Sequence, residues 1–252
     1  MSNELTNEEK PILIISDFTQ KYNGFVAVDH LSLQVNEGEI FGFIGHNGAG
    51  KSTTIKSIVG ILPVKDGEIL IAGKSIEMNR KDCQRMCAYI PDNPDLYGYM
   101  TGIGYINFIS DIFEVSSEQR TRLIKKYADE FEITAQLGNL ISSYSHGMRQ
   151  KVALIAAFVH QPKLLVLDEP FVGLDPKASA VLKKNMRDLC DHGSAIFFST
   201  HVLDVAERLC DRVAMIDHGS LVITGKTRDL TSEKTLEEVF LEELQAKEDS
   251  HA

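Results

Sequence analysis

The stretch "GHNGAGKS", Gly45 to Ser52, decides how this chain is read. It fits the spacing G-x-x-x-x-G-K-[ST], preceded by the apolar run "IFGFIG" and followed by a segment that reads as a helix from about Lys51 to Ile61. A strand, a glycine-rich turn and a helix in that order gather Gly45, His46, Asn47, Gly48, Ala49, Gly50, Lys51, Ser52 and Thr53 around a phosphate chain. Glycines let backbone N–H groups turn inward toward phosphate oxygens, and the helix N-terminus adds positive potential at the same point. Lys51 is then set to reach the outer phosphates, and the Ser52 hydroxyl to ligate Mg²⁺. A chance glycine turn is the competing reading, and the strand and helix on either side weigh against it.

Downstream, "LLVLDEP" is a continuous apolar run that ends in two carboxylates, Asp168 and Glu169. The run is of the kind buried in a parallel sheet. In company with the lysine loop, Asp168 is a candidate for holding Mg²⁺ and Glu169 for polarising an attacking water. The bland alternative is that both acids merely cap the next loop.

Composition sets the frame. The 252 residues are 43% hydrophobic and 25% charged, enough for a sizeable core in one large domain or two small ones. A net charge of −10 argues against nucleic acid as a partner. The cysteines at 83, 87, 190 and 210 form no Cys-x-x-Cys pair and read as reduced and structural. "MSNELTNEEKPILII" begins acidic without the apolar core of a signal peptide, and no run approaches roughly eighteen apolar residues. The expectation is a cytosolic chain that meets a membrane only through a partner.

Along the chain, "PILIISDF" and "LSLQV" read as strands, and "KLLVLDE", "SAIFFST" and "RVAMIDHG" as buried ones. Between them, roughly residues 97 to 160 read as helices, with Met148, Val152 and Ile155 on one face of "GMRQKVALIAAFV". Leu182, Met186 and Leu189 mark a further helix. "TLEEVFLEEL" opens with a capping box, Thr235 and Glu238, and carries a stripe of Leu236, Val239, Phe240 and Leu244. The expected fold is α/β: a P-loop core with a mostly parallel sheet, an N-terminal antiparallel β subdomain and an inserted helical subdomain. The expected division is a nucleotide-binding domain over residues 1–230 and a short amphipathic helix with an acidic tail over 231–252.

With these residues in hand, the chain resembles the ATP-binding subunit of ABC transporters from about Ile12 to Gly225. The diagnostic stretch is "YSHGMRQK", Tyr144 to Lys151, a variant of the family signature LSGGQ that keeps Ser145 and Gly147 and departs at Tyr144, His146 and Met148. Such variants are similar to those of drug-efflux and bacteriocin-immunity exporters. Read alone, Ser145 is an ordinary helix N-cap. The resemblance implies that Ser145 and Gly147 clamp a γ phosphate across a head-to-tail dimer. It also implies that Tyr22 stacks on adenine, that His201 contacts the γ phosphate and orients the catalytic water, and that Asp175 links the two nucleotide sites. As a bare N-cap before Pro176, Asp175 fits a structural role as well.

ATP and Mg²⁺ are the implied ligands, with an integral-membrane permease and a second ATP-binding subunit, identical or homologous, as partners. The implied place is the cytoplasmic face of the cell membrane. The short region after Gly225 and the "LEEVFLEEL" tail favour export over import. Two other readings stay open: a soluble ABC ATPase acting on ribosomes or DNA, and a nucleotide-dependent regulator that hydrolyses little. The second is kept alive by "YIPDNPDLYGYMTG", residues 89 to 102, where the family's glutamine is replaced by Asp92, with Asn93 next to it. Asp92 offers Mg²⁺ an oxygen but lacks the amide donor. The aromatic end of that stretch, with Tyr97, Tyr99, Met100, Tyr105 and Phe108, reads either as core of the helical part or as a groove for a permease helix.

Overall fold

A computed structural model describes residues 10–251, so the leaderless reading of residues 1–9 lies outside the described residues. The first two strands are set by the turn in "YNGF", where Asn23 and Gly24 take φ 47° and 88°. Left-handed values at both positions close a two-residue hairpin whose twist matches its strands. β1 (Pro11–Tyr22) and β2 (Phe25–Asn36) pair antiparallel from Tyr22 and Phe25 onward. β3 (Ile40–Ile44), wholly buried, then runs into the glycine loop and α1 (Lys51–Ile58). That helix stops short of Ile61, because Gly60 at φ 71° turns the chain out of it.

β4 (Asp66–Ile71) and β5 (Lys74–Ser75) return to the first sheet, whose order is β2-β1-β4-β5. α2 (Arg80–Met86) follows, and Cys87 opens β6 (Cys87–Ile90), so Cys83 and Cys87 lie on different elements. All four cysteines are free and buried.

The inserted helices are α3 (Gly102–Ile112), α4 (Ser117–Glu130) and α5 (His146–His160), each started by a hydroxyl cap: Thr101, Ser116 and Ser145. Short 3-10 turns at Thr134–Gln136 and Ile141–Ser143 join α4 to α5. Val152 and Ile155 of α5 are fully buried, and Met148 packs against the same core. Tyr97 and Tyr99 stand 46% and 79% exposed, with ring centroids 5.8 Å apart and planes tilted by 30°. Tyr105 and Met100 pack partly inward, so this aromatic stretch divides between core and surface.

The chain then alternates. β7 (Leu164–Asp168) leads to α6 (Pro176–Asp191), β8 (Ala195–Thr200) to α7 (Leu203–Leu209), and β9 (Arg212–Asp217) to β10 (Ser220–Lys226). α8 (Thr227–Leu230) and α9 (Leu236–His251) finish the described chain. The second sheet has the order β10-β9-β3-β8-β7-β6, parallel from β9 to β6 with β10 antiparallel at its edge.

Strand periodicity divides the core in two. Ile40, Ile44, Leu165, Leu167, Ile196, Phe198 and Met215 pack with the helices, while Phe41, Phe43, Leu164, Val166, Phe197 and Ile216 pack with the antiparallel sheet. Successive side chains point to opposite faces, and both faces are covered, so these strands read as unbroken apolar runs.

The capping box at α9 forms: Thr235 N–H donates to Glu238 Oε2 at 2.8 Å, and Glu238 N–H to Thr235 Oγ1 at 3.3 Å. Leu236 is buried and its N–H donates to Glu207 of α7 at 2.9 Å, which docks the helix on the body. Phe240 packs onto the same core, whereas Val239 and Leu244 are half-buried. The side chains of the acidic tail from residue 247 onward lie outside the described residues. Among the described residues, no helix is long and apolar enough to cross a membrane.

Candidate active site

Ligands of open parallel sheets bind beyond the carboxyl ends of the strands. Here β8 lies between β3 and β7, with Ile44 opposite Thr200 and Asp168 opposite Ser199. The glycine loop after β3, the carboxylates at the end of β7 and His201 after β8 therefore converge at one end of the sheet.

Each loop glycine has its own reason. A Cβ on Gly45 would meet the Ile216 carbonyl oxygen at 2.5 Å, and one on Gly50 the Ala27 oxygen at 2.5 Å. Gly48 has open space around it but takes φ 87°, a left-handed value that a side chain disfavours. Lys51 is only 6% exposed, and its Nζ donates to the Gly45 carbonyl at 2.6 Å and the His46 carbonyl at 3.2 Å. Burial lowers its pKa, opposed by the carboxylates of Glu169 and Asp168.

Asp168 is held by two hydroxyls: Ser52 Oγ donates to Oδ2 at 3.1 Å, and Ser199 Oγ donates to Oδ1. Glu169 sits at φ 48°, a left-handed value rare for a non-glycine residue. Its N–H donates to Ser199, through Oγ at 3.2 Å and the carbonyl at 3.3 Å. The unusual backbone aims the Glu169 carboxylate back over the loop, 3.7 Å from Lys51 Nζ. His201 Nδ1 donates to Glu169 Oε1 at 2.9 Å. Neither Ser199 nor the Glu169 backbone was visible as a site feature in the sequence, since a serine in an apolar strand reads as filler.

Tyr22, Phe25, Ala27, His46, Asn47, Gly48, Gly50, Lys51, Ser52 and Thr53, together with Asp92, Asp168 and Glu169, line a cleft of about 390 Å³. Tyr22 is a strand-end residue rather than a loop one, and Phe25 stands opposite it across the hairpin, 66% exposed. Phe25 escapes a sequence reading that looks for one aromatic, although the Asn23–Gly24 turn is the signal that pairs the two. Asp92 lines the cleft and Asn93 does not. Burial, aided by the carboxylates of Asp168 and Asp92, pushes the Tyr89 phenol up to about 12.

Ser145, Gly147 and Asp175 are not among the residues lining this cleft. They cluster elsewhere: Ser145 caps α5 by accepting from Met148 N–H at 3.3 Å, and a Cβ on Gly147 would meet the Gly173 carbonyl at 2.9 Å. Asp175 caps α6 through Ala178 N–H at 2.8 Å and pairs with Lys151 at 3.0 Å. Those contacts hold its carboxyl below the usual range. Buried Gln150 donates to the Pro170 carbonyl at 2.8 Å, tying α5 to the segment after Glu169.

The oxygens of Ser52 and Asp168 suit a hard cation such as Mg²⁺, which prefers carboxylate and hydroxyl donors beside phosphate. A glycine-wrapped lysine, a hydroxyl and carboxylate pair, and a glutamate with a histidine partner are groups of the kind that nucleotide triphosphate chemistry uses.

A family model described as ABC transporter matches residues 28–172. The chain is 32% identical over 221 residues to YhcH, an ABC transporter ATP-binding protein of Bacillus subtilis (strain 168), across 87% of this chain and 72% of that one. It is 28% identical over 239 residues to the "Probable multidrug ABC transporter ATP-binding protein YbhF" of Escherichia coli (strain K12), across 92% of this chain and 41% of that one. A solved ATP binding subunit of an ABC transporter superposes with a TM-score of 0.89 at 32% identity, over 92% of this chain and 99% of that one. Its loop, its carboxylates and these likenesses agree, and the chain belongs to the ATP-binding proteins of the ABC transporter family.

Proposed function

We propose that this chain hydrolyses ATP to drive export through a separate integral-membrane permease, from the cytoplasmic face of the cell membrane. The observation that supports this best is that Lys51 and Glu169 meet in the lining of the cleft while His201, just outside that lining, holds the Glu169 carboxylate. Glu169 takes the proton of the attacking water, and His201 fixes the carboxylate that receives it. Lys51 reaches from the loop carbonyls to the outer phosphates. Ser52 and Asp168 would hold Mg²⁺, with Asp92 at its edge; bound there, the ion neutralises charge that builds on the phosphate oxygens. Tyr22 and Phe25 receive the adenine ring.

Ser145, Gly147 and Asp175 lie apart from the cleft, and they gain a role if a second ATP-binding subunit docks head to tail. Each signature then closes on the other subunit's nucleotide, so that ATP holds the pair together. The multidrug name of YbhF supports export as the direction. Exposed Tyr97 and Tyr99 are the side chains offered to the permease.

Turnover of purified chain, alone and with its permease, tests this reading. Activity that disappears in Glu169→Gln, with co-purification of a multi-spanning membrane protein, supports it. No Glu169-dependent turnover in either setting would leave a nucleotide-dependent regulator instead. Intact complex formation in a Tyr97→Ala, Tyr99→Ala double variant would move the permease contact elsewhere.

A further inference from the structure

We propose that His46, Asp217 and His218 form a transition-metal site that takes Zn²⁺ and clamps the start of the phosphate loop to the β9–β10 turn. One donor atom from each of the three lies within 4.8 Å of the others. His46 Nε2 is 2.7 Å from Asp217 Oδ1, and His218 Nε2 is 3.9 Å from the same oxygen. Two imidazoles and a carboxylate are the donor set of a borderline cation, and three protein ligands leave a fourth position for water. Mg²⁺ demands oxygen ligands and does not compete for this set.

The hydrogen bonds of His46 point to the same conclusion. Its Nδ1 faces the Asn47 carbonyl oxygen at 2.7 Å and its Nε2 the Asp217 carboxylate at 2.7 Å. Both partners are acceptors, and a neutral imidazole carries one N–H. The second contact is completed only by a further proton on the ring or by a cation beside Nε2. A cation there is also the arrangement in which the Nδ1–H···O=C bond fixes the tautomer of a metal-binding histidine.

The tertiary structure holds the three residues in place. β9 lies beside β3, so Asp217 ends level with the loop that carries His46. Asp217 and Ser220 pair across a two-residue turn whose residues, His218 and Gly219, take φ 44° and 83°. Gly219 N–H donates to the Ala49 carbonyl at 3.0 Å, and Asp29 N–H donates to Gly219 at 2.8 Å. The turn is thus bonded to the loop itself. A tetrahedral Zn²⁺ with bonds of about 2.0–2.2 Å needs its ligand atoms roughly 3.3 Å apart. His46 and Asp217 therefore open slightly while His218, 84% exposed, swings inward.

The test is Zn²⁺ titration by calorimetry on the full chain without nucleotide, with Mg²⁺ present, comparing wild type with His218→Ala and Asp217→Asn. His218 is exposed and Asp217 half-buried, and neither lines the cleft. Wild type binds one Zn²⁺ per chain at this site, and each variant weakens that binding by at least about tenfold. Zn²⁺ also slows amide hydrogen exchange across residues 45–50 in wild type and leaves it unchanged in His218→Ala. The proposal is overturned if wild type takes up no Zn²⁺, or if either variant binds it as wild type does.

Discussion

His201 Nδ1 lies 2.9 Å from Glu169 Oε1, and the same carboxylate oxygen is 3.7 Å from Lys51 Nζ. The carboxylate is thereby held between an imidazole and an ammonium group, which is the setting of the general base proposed above. Glu169→Gln removes the base while keeping the shape, so turnover falls by about 100- to 10,000-fold with ATP affinity retained. His201→Ala lowers kcat with little change in KM, because it loosens the carboxylate rather than the nucleotide. Steady-state kinetics with a nucleotide-binding assay checks both; an active Glu169→Gln would remove the assignment.

Lys51 is a buried cation whose pKa is lowered chiefly by burial. In the unfolded chain the amine keeps its ordinary value near 10.4, so charging it costs folding free energy below the depressed pKa. That cost is relieved as pH rises through the folded pKa toward the unfolded one. Lys51→Met is therefore expected to keep or raise the thermal midpoint at neutral pH, with the difference shrinking at high pH. Nucleotide binding falls by roughly 10- to 100-fold as the charge-assisted contacts disappear. A clear drop in midpoint at neutral pH would contradict the sign.

Asp92 adds a carboxylate to a cleft that already holds Asp168 and Glu169. Replacing it with glutamine removes repulsion toward the triphosphate. For an exposed charge this is on the order of 1 kcal/mol, about fivefold in ATP affinity or basal rate. Equal ATP affinity and equal basal rates in Asp92→Gln and wild type would show that the carboxylate exerts no such repulsion.

Tyr22 and Phe25 flank the hairpin tip as a pair. Stacking of a base on an aromatic ring is worth about 1–3 kcal/mol. Each alanine substitution is expected to weaken ATP binding by roughly tenfold, and fluorescence titration reads the loss. If Phe25→Ala binds like wild type, the adenine rests on Tyr22 alone.

Cys190 is pushed up to about 12 by burial, and Cys87 and Cys210 are raised as well. Since the thiolate is the reactive form, the native protein at pH 8 leaves these thiols unlabelled by a disulfide reagent. All four cysteines titrate once the chain is unfolded. Fast native labelling would mean that the core opens readily.

The sequence by itself determined the phosphate loop, the paired carboxylates, the helix starts at Ser145 and Asp175, and the buried strands. Those features are local: glycine spacing, a cap three residues before its N–H, and period-two burial are written in neighbouring residues. Only the tertiary structure decided which distant segments meet. Placing β8 between β3 and β7 brings Ser199 and His201 to Asp168 and Glu169. The hairpin sets Phe25 opposite Tyr22. The turn after β9 carries His218 to His46. Strand order follows from packing two layers onto the two faces of one sheet, and the left-handed backbone of Glu169 is seen only in the folded chain. No run of neighbouring residues encodes that packing, because it is a balance of contacts made across the whole chain.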